Sequence, residues 1–204
     1  MVTTWKHPDL GTFHHDGFAW IREVSLPAFE VFSLRARRRS AKPALMFDIE
    51  EETEVPTREM VAVAKRILGN GESLVEKVLK ALWLDFNGRG PGSGMWWNGN
   101  LADVTKYILD PKTKQPIELG EPSDIAPLMR LMSMRIAPEH REFKKPLAEL
   151  AFRAEFEIEH GVGILTDGSR VLGIGRIADA QLFAPVKKLL KKKVAKKSKL
   201  KRAR

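Results

Sequence analysis

The sequence predicts an α+β fold: an antiparallel sheet, built from an N-terminal hairpin or meander and a C-terminal three-stranded meander, covered by two central amphipathic helices. Three observations predict it. Period-two alternation is concentrated near the two ends, each of those regions carries an Asp-Gly turn signal, and the stretch between them holds two runs at helical spacing. With 204 residues and 43% apolar content the chain can bury a real core, and residues 1–185 read as a single domain.

Residues 11–15 and 18–24 flank Asp16-Gly17, so the chain opens with a hairpin. Phe18, Trp20 and Arg22 share one face of it, and Ala19, Ile21 and Glu23 the other. His14 and His15 point apart, one toward solvent and one inward. Leu26-Pro27 breaks the run, after which 29–34 reads as a third strand ending in Arg35, Arg37, Arg38 and Arg39. Arginines there read as an edge guarded against pairing, with an anion or nucleic-acid contact as the alternative. Glu50, Glu51, Glu52 and Glu54 lack the punctuation of a calcium loop and read as a solvated linker.

Pro56-Thr57 opens a helix in which Met60, Val63, Ala64, Ile67 and Leu68 recur at helical spacing, with Gly69 placed to cap it. Ser73 and Glu76 have capping-box form ahead of a second helix, whose stripe is Leu74, Val75, Val78, Leu79, Leu82, Trp83 and Phe86. Residues 87–100 form a Gly-rich loop. It lacks the Gly-Lys-Ser/Thr ending and the preceding strand of a phosphate cradle. Trp96 and Trp97 within it are either tucked onto the core or offered to a protein partner. Residues 101–109 have near-helical spacing up to Asp110-Pro111, Ser123 or Asp124 caps a short helix through Met129, and 131–136 extends toward the sheet. Met129, Met132 and Met134 read as core filling.

Leu150, Phe152, Ala154, Phe156 and Ile158 alternate with Ala151, Arg153, Glu155, Glu157 and Glu159, predicting one strand with a buried and a wet face. Glu159-His160-Gly161 then marks a strand end or bend, since glycine turns where a Cβ would clash. Residues 161–166 and 170–175 flank Asp167-Gly168, read as a two-residue type I′ turn.

Glu157, Glu159, His160 and Gly161 are the candidate corner. A histidine beside carboxylates can act as a general base or ligate metal. Along one strand, however, the glutamates share a face that His160 opposes, so these groups converge only if the chain bends at Gly161. The structural alternative is a histidine that closes the bend by bonding to backbone. No Ser-His-Asp order, HExxH or His/Asp pair at helical spacing is present, so no catalytic, metal or cofactor-binding residue is assigned.

Phe156-Glu157-Ile158-Glu159-His160-Gly161-Val162-Gly163, closed by Val171-Leu172-Gly173-Ile174-Gly175, resembles the C-terminal signature of an uncharacterised bacterial domain family. His7-Pro8-Asp9-Leu10-Gly11-Thr12-Phe13, followed by Trp20, Glu23 and Leu26-Pro27, is similar to that family's N-terminal hairpin. The family is often likened to the immunity proteins of polymorphic toxin systems. The resemblance therefore implies a protein-binding domain and brings no catalytic residue. The chain departs from the pattern at Phe156, where tryptophan is frequent, in its extended Gly-rich loop and in its basic tail.

The formal charge of +9 resides in that tail. Residues 186–204 hold eleven Lys or Arg and no acid, which leaves 24 basic against 26 acidic side chains in the rest of the chain. Such a segment is expected to be disordered or weakly helical, and Lys187, Lys188, Lys191, Lys192, Lys193, Lys196 and Lys197 are its candidate polyanion contacts. It serves either nonspecific nucleic-acid binding or solubility. The absence of cysteine excludes disulfides and thiolate metal sites. With no signal-peptide pattern and no apolar run near the ~20 residues of a membrane span, a cytoplasmic location is expected. Three functions compete: a non-enzymatic, immunity-like protein-interaction domain, nucleic-acid association through the tail, and a metal-dependent enzyme centred on Glu159 and His160.

Overall fold

A computed structural model describes residues 4–35, 42–49, 54–90, 105–106 and 108–192. They form one nine-stranded sheet whose spatial order follows the sequence: β1 (Thr4–His7), β2 (Gly11–His15), β3 (Ala19–Glu23), β4 (Ala44–Asp48), β5 (Met129–Ala137), β6 (Leu147–Ala154), β7 (Glu157–Thr166), β8 (Val171–Gly175) and β9 (Gln181–Leu182). Neighbours run antiparallel except β4 and β5, which are parallel. A parallel pair needs a long crossover. That crossover contains α1 (Arg58–Gly69) and α2 (Gly71–Phe86), so the helices that roof the sheet also join its two halves. The fold is thus the α+β class expected from the sequence.

One apolar cluster runs through the molecule from Leu10 to Phe183. Met60, Val63, Ala64 and Ile67 of α1 and Leu74, Val78, Leu82 and Phe86 of α2 meet Phe13, Trp20, Phe47, Ile136, Phe152 and Ile164 from the sheet. Trp5, Phe13, Trp20 and Phe47 pack ring against ring, and the indole Nε1 of Trp20 donates to the Glu54 carbonyl at 2.8 Å. His14 is exposed, whereas His15 lies half-buried against the Trp20 ring.

Several local expectations are corrected. Residues 29–34 are not a strand: Pro27–Val31 is a 3-10 helix, favoured by Pro27 at its start and by Phe29 and Phe32, three residues apart and both buried. Arg35 is not a solvated edge arginine, because it bonds the Leu109 carbonyl and Glu155. No period-two pattern marks strands β1, β4 and β9. Thr57 caps α1 by accepting from the Met60 amide, but Gly69 ends the helix without a left-handed cap. The chain reverses through Asn70 and α2 starts at Gly71, so Ser73 lies inside the helix and its capping box does not form. The end of α2 is closed by Gly88 at φ +65°, with the Gly88 amide bonded to the Asp85 carbonyl and the Arg89 amide to the Leu84 carbonyl, a Schellman arrangement. Pro122–Leu128 is a 3-10 helix with a capping box between Glu121 and Asp124. Met132 is a bulge residue of β5 and exposed, while Met129 and Met134 are buried.

The alternation predicted to run through Ile158 stops earlier. β6 ends at Ala154, which pairs with Glu157, so the reversal falls at Glu155-Phe156 and not at Glu-His-Gly. Phe156 packs edge-on against Phe86, whereas Ile158 is exposed. The Asp167-Gly168 turn is longer than two residues, because Thr166 pairs with Val171 and Gly168 alone among the turn residues has positive φ.

Within the basic segment, residues 184–192 are helical. Val186 and Leu190 pack with Leu147, Leu165, Leu172 and Leu182, supplying the apolar anchor that composition suggested was missing. Trp96 and Trp97, Arg37 to Arg39, Glu50 to Glu52, most of the run 101–109, and Lys193, Lys196 and Lys197 lie outside the described residues.

Candidate functional site

The corner is built as a wide bulge between β6 and β7. Ala154 pairs with Glu157 and Phe152 with Val162, so Arg153 alone faces the four residues Ile158, Glu159, His160 and Gly161. Extra residues on one strand leave the ladder and kink it. Gly161 makes the return possible. Its φ is +61°, and a Cβ there would stand 2.5 Å from the Phe152 carbonyl oxygen and 2.6 Å from the Ile177 side chain.

The bend brings His160 to the glutamates. Its Nδ1 lies 3.0 Å from Glu157 Oε1 and 4.0 Å from Glu159 Oε2. The Glu157 side chain is 11% exposed, His160 44% and Glu159 86%, so one carboxylate is an internal partner and the other stands in solvent. A carboxylate only accepts, so a neutral ring donates through Nδ1 and presents Nε2 as an acceptor. Arg176 Nε approaches the second oxygen of Glu157 at 3.9 Å, and the Ile177 amide donates to the His160 carbonyl at 3.3 Å.

Arg176 arrives there because the chain after β8 folds back over glycines. A Cβ on Gly163 would lie 2.8 Å from the Arg176 carbonyl, and one on Gly175 would lie 2.8 Å from Ala180 Cα. Glu149 holds the returning segment by accepting from the Ala178 amide at 2.9 Å. Burial pushes the Glu149 carboxyl above its ordinary range, against the opposing pull of that amide and of Arg135.

Glu155 does not join this group. Lying in the β6–β7 turn, it pairs with Arg35 at 2.7 Å, and burial raises its carboxyl while Arg35 opposes the rise. The bend at Gly161 therefore brings His160 to Glu157, leaves Glu159 in solvent 4.0 Å from it, and leaves Glu155 apart. Arg176 was missed, since fifteen intervening residues separate it from His160 and nothing in its neighbourhood marks it. Ile158 falls on the apolar side of the predicted alternation, yet it is exposed. The signal against that reading was Gly161, which breaks the alternation just after it. Among the described residues no three His, Cys, Asp or Glu side chains are placed to hold one metal ion.

Residues 9–181 match the DUF6985 domain, a domain of unknown function. The chain belongs to the DUF6985 family. No curated protein and no solved structure matches it. The DUF6985 match takes in the bulge, Arg176 and the glycines beneath the returning segment, and it ends in β9, before the helix at 184–192. On that helix Lys188, Lys191 and Lys192 are exposed, while Lys187 pairs with Glu142 at 3.1 Å. No helix among the described residues is long and apolar enough to cross a membrane.

Proposed function

We propose that this DUF6985 chain is a non-enzymatic protein-binding domain, immunity-like in acting by occupying a partner protein. The observation that carries the reading is Ile158, 81% exposed on a bulge whose inner side is fixed by Gly161 and by the bond between Glu157 and His160. A large aliphatic side chain held out on a fixed backbone loses little entropy on docking, and its full burial is worth about 1.5–3 kcal/mol. Glu159 beside it selects for a basic rim around an apolar pocket. The resemblance of the Glu-His-Gly signature to immunity-like domains points the same way. The Nδ1 atom of the imidazole is spent on holding the bulge through Glu157.

The test is affinity capture from the organism of origin with the wild-type chain and Ile158→Asp in parallel. The expected result is one stoichiometric protein partner with the wild type, depleted at least tenfold with a variant whose melting temperature is unchanged. Failure to recover a stoichiometric partner, or equal recovery by both proteins, contradicts the proposal.

A further inference from the structure

The helix at 184–192 separates its two kinds of side chain by geometry. Val186 and Leu190, one turn apart, pack on Leu147, Leu165, Leu172 and Leu182. Lys188, Lys191 and Lys192 have the i, i+3, i+4 relation that places them together on the opposite side, where all three are exposed. Lys187 lies between the two faces and is neutralised by Glu142. Beyond the helix the sequence adds seven more Lys or Arg in residues 193–204, again with no acid. The whole segment follows the DUF6985 match, whereas the remainder of the chain is close to neutral.

Two polyanions could meet such a surface, and the packing separates them. A membrane-surface helix needs a free apolar face to enter the headgroup boundary. Here Val186 and Leu190 are half-buried against the leucines of the sheet, and of the helix's large apolar side chains only Leu189 is exposed. The segment 184–204 also has no Phe, Tyr or Trp on which unpaired bases could stack, which disfavours single strands. What remains is a row of cations on a rigid support, facing outward, suited to the closely spaced phosphates of a duplex.

We propose that Lys188, Lys191 and Lys192 bind the phosphate backbone of duplex nucleic acid without sequence preference. This surface is distinct from the bulge and stands whether or not the protein-binding reading does.

The experiment is fluorescence anisotropy of the full chain with a 5′-labelled duplex of about 24 base pairs, titrated between 50 and 200 mM salt, a range over which phosphate contacts lose affinity steeply. The wild type is expected to bind two unrelated duplex sequences equally. Replacing Lys188, Lys191 and Lys192 with Gln should weaken binding at least tenfold at 50 mM salt. It should also reduce the slope of log K against log salt by about 2–3, since each phosphate contact contributes about 0.9. Lys187→Gln should leave the slope unchanged. Circular dichroism confirms that each variant is folded, as expected for exposed lysines. The proposal is overturned if the wild type does not bind at 50 mM salt, if the triple variant keeps the wild-type slope, or if single strands or phosphatidylserine vesicles are bound more tightly than the duplex.

Discussion

Two glycine corners shape β7, Gly161 within it and Gly168 just after it, and their surroundings differ. At Gly168 the chain turns beneath the helices, and the polar groups of the turn are consumed locally. Thr166 Oγ1 accepts from the Gly168 amide, Asp167 accepts from the Ser169 and Arg170 amides, Arg66 of α1 bonds the Asp167 carbonyl and Lys77 of α2 bonds the Ser169 carbonyl. At Gly161 the chain turns against the Phe152 carbonyl and the Ile177 side chain, and Ile158, Glu159 and part of His160 face solvent. Both corners depend on a glycine with positive φ. The corner beneath the helices fixes the fold, whereas the one at Gly161 offers its side chains outward.

The largest effect should come from Gly168→Val. Its φ is +87°, and a Cβ there would lie 2.7 Å from Arg66 Cβ and 2.9 Å from the Val63 carbonyl. A loss of about 3–4 kcal/mol is expected from combined strain and clash, read from urea unfolding midpoints. A loss below about 1 kcal/mol would show that the turn is not held by α1.

Gly161→Ala should cost about 2 kcal/mol, because Ile177 can shift but the Phe152 carbonyl cannot. Partner capture by this variant should fall even where the fold survives, since the bulge must re-route.

Part of this contrast was legible in the chain and part was not. Local periodicity marked the N-terminal hairpin, both helices and the strands on either side of Gly168, because each signal lies within one element. β4 escaped notice: five residues between charged runs become a strand by pairing with β3 and β5, which are remote or separated by the whole helical crossover. At 27–31 the spacing of Phe29 and Phe32 was the readable sign of a 3-10 helix, overridden by the strand-like composition around it. At the corner, Phe156 and Ile158 keep the parity of β6 after the strand has ended, so alternation alone could not reveal the reversal. The need for glycine at 161 was visible; the approach of Arg176 depends on a folded-back segment that no local pattern encodes. The helix at 184–192 was hidden because its apolar partners lie in β6, β7, β8 and β9.

A third way to sharpen the comparison uses pH. The Glu149 carboxyl beneath the returning segment is raised above 4.5, chiefly by burial, with Asp48 adding to the rise and the Ala178 amide and Arg135 opposing it. The folded state therefore binds this proton more tightly than the unfolded state does. The associated stability is complete below pH 4.5 and is lost as pH rises through the raised value. Glu149→Gln keeps an acceptor for the Ala178 amide and lacks the buried charge. It should melt above the wild type at pH 7 and show a shallower decline in stability between pH 4.5 and 7 in thermal scans.

The smallest effect on stability should be that of His160→Ala. Its bond to Glu157 is half-exposed, so less than about 0.5 kcal/mol is expected in denaturant. Partner capture should nevertheless weaken, because the bulge loses its inner tie.

Hydrogen exchange on this chain, free and bound to a protein recovered by the affinity capture, tests the proposed role of the bulge most directly. Slowed exchange confined to residues 157–161 and 176–177, with 166–171 unchanged from the free chain, is the predicted footprint. Protection that falls on 166–171 or elsewhere and leaves 157–161 untouched would contradict the account.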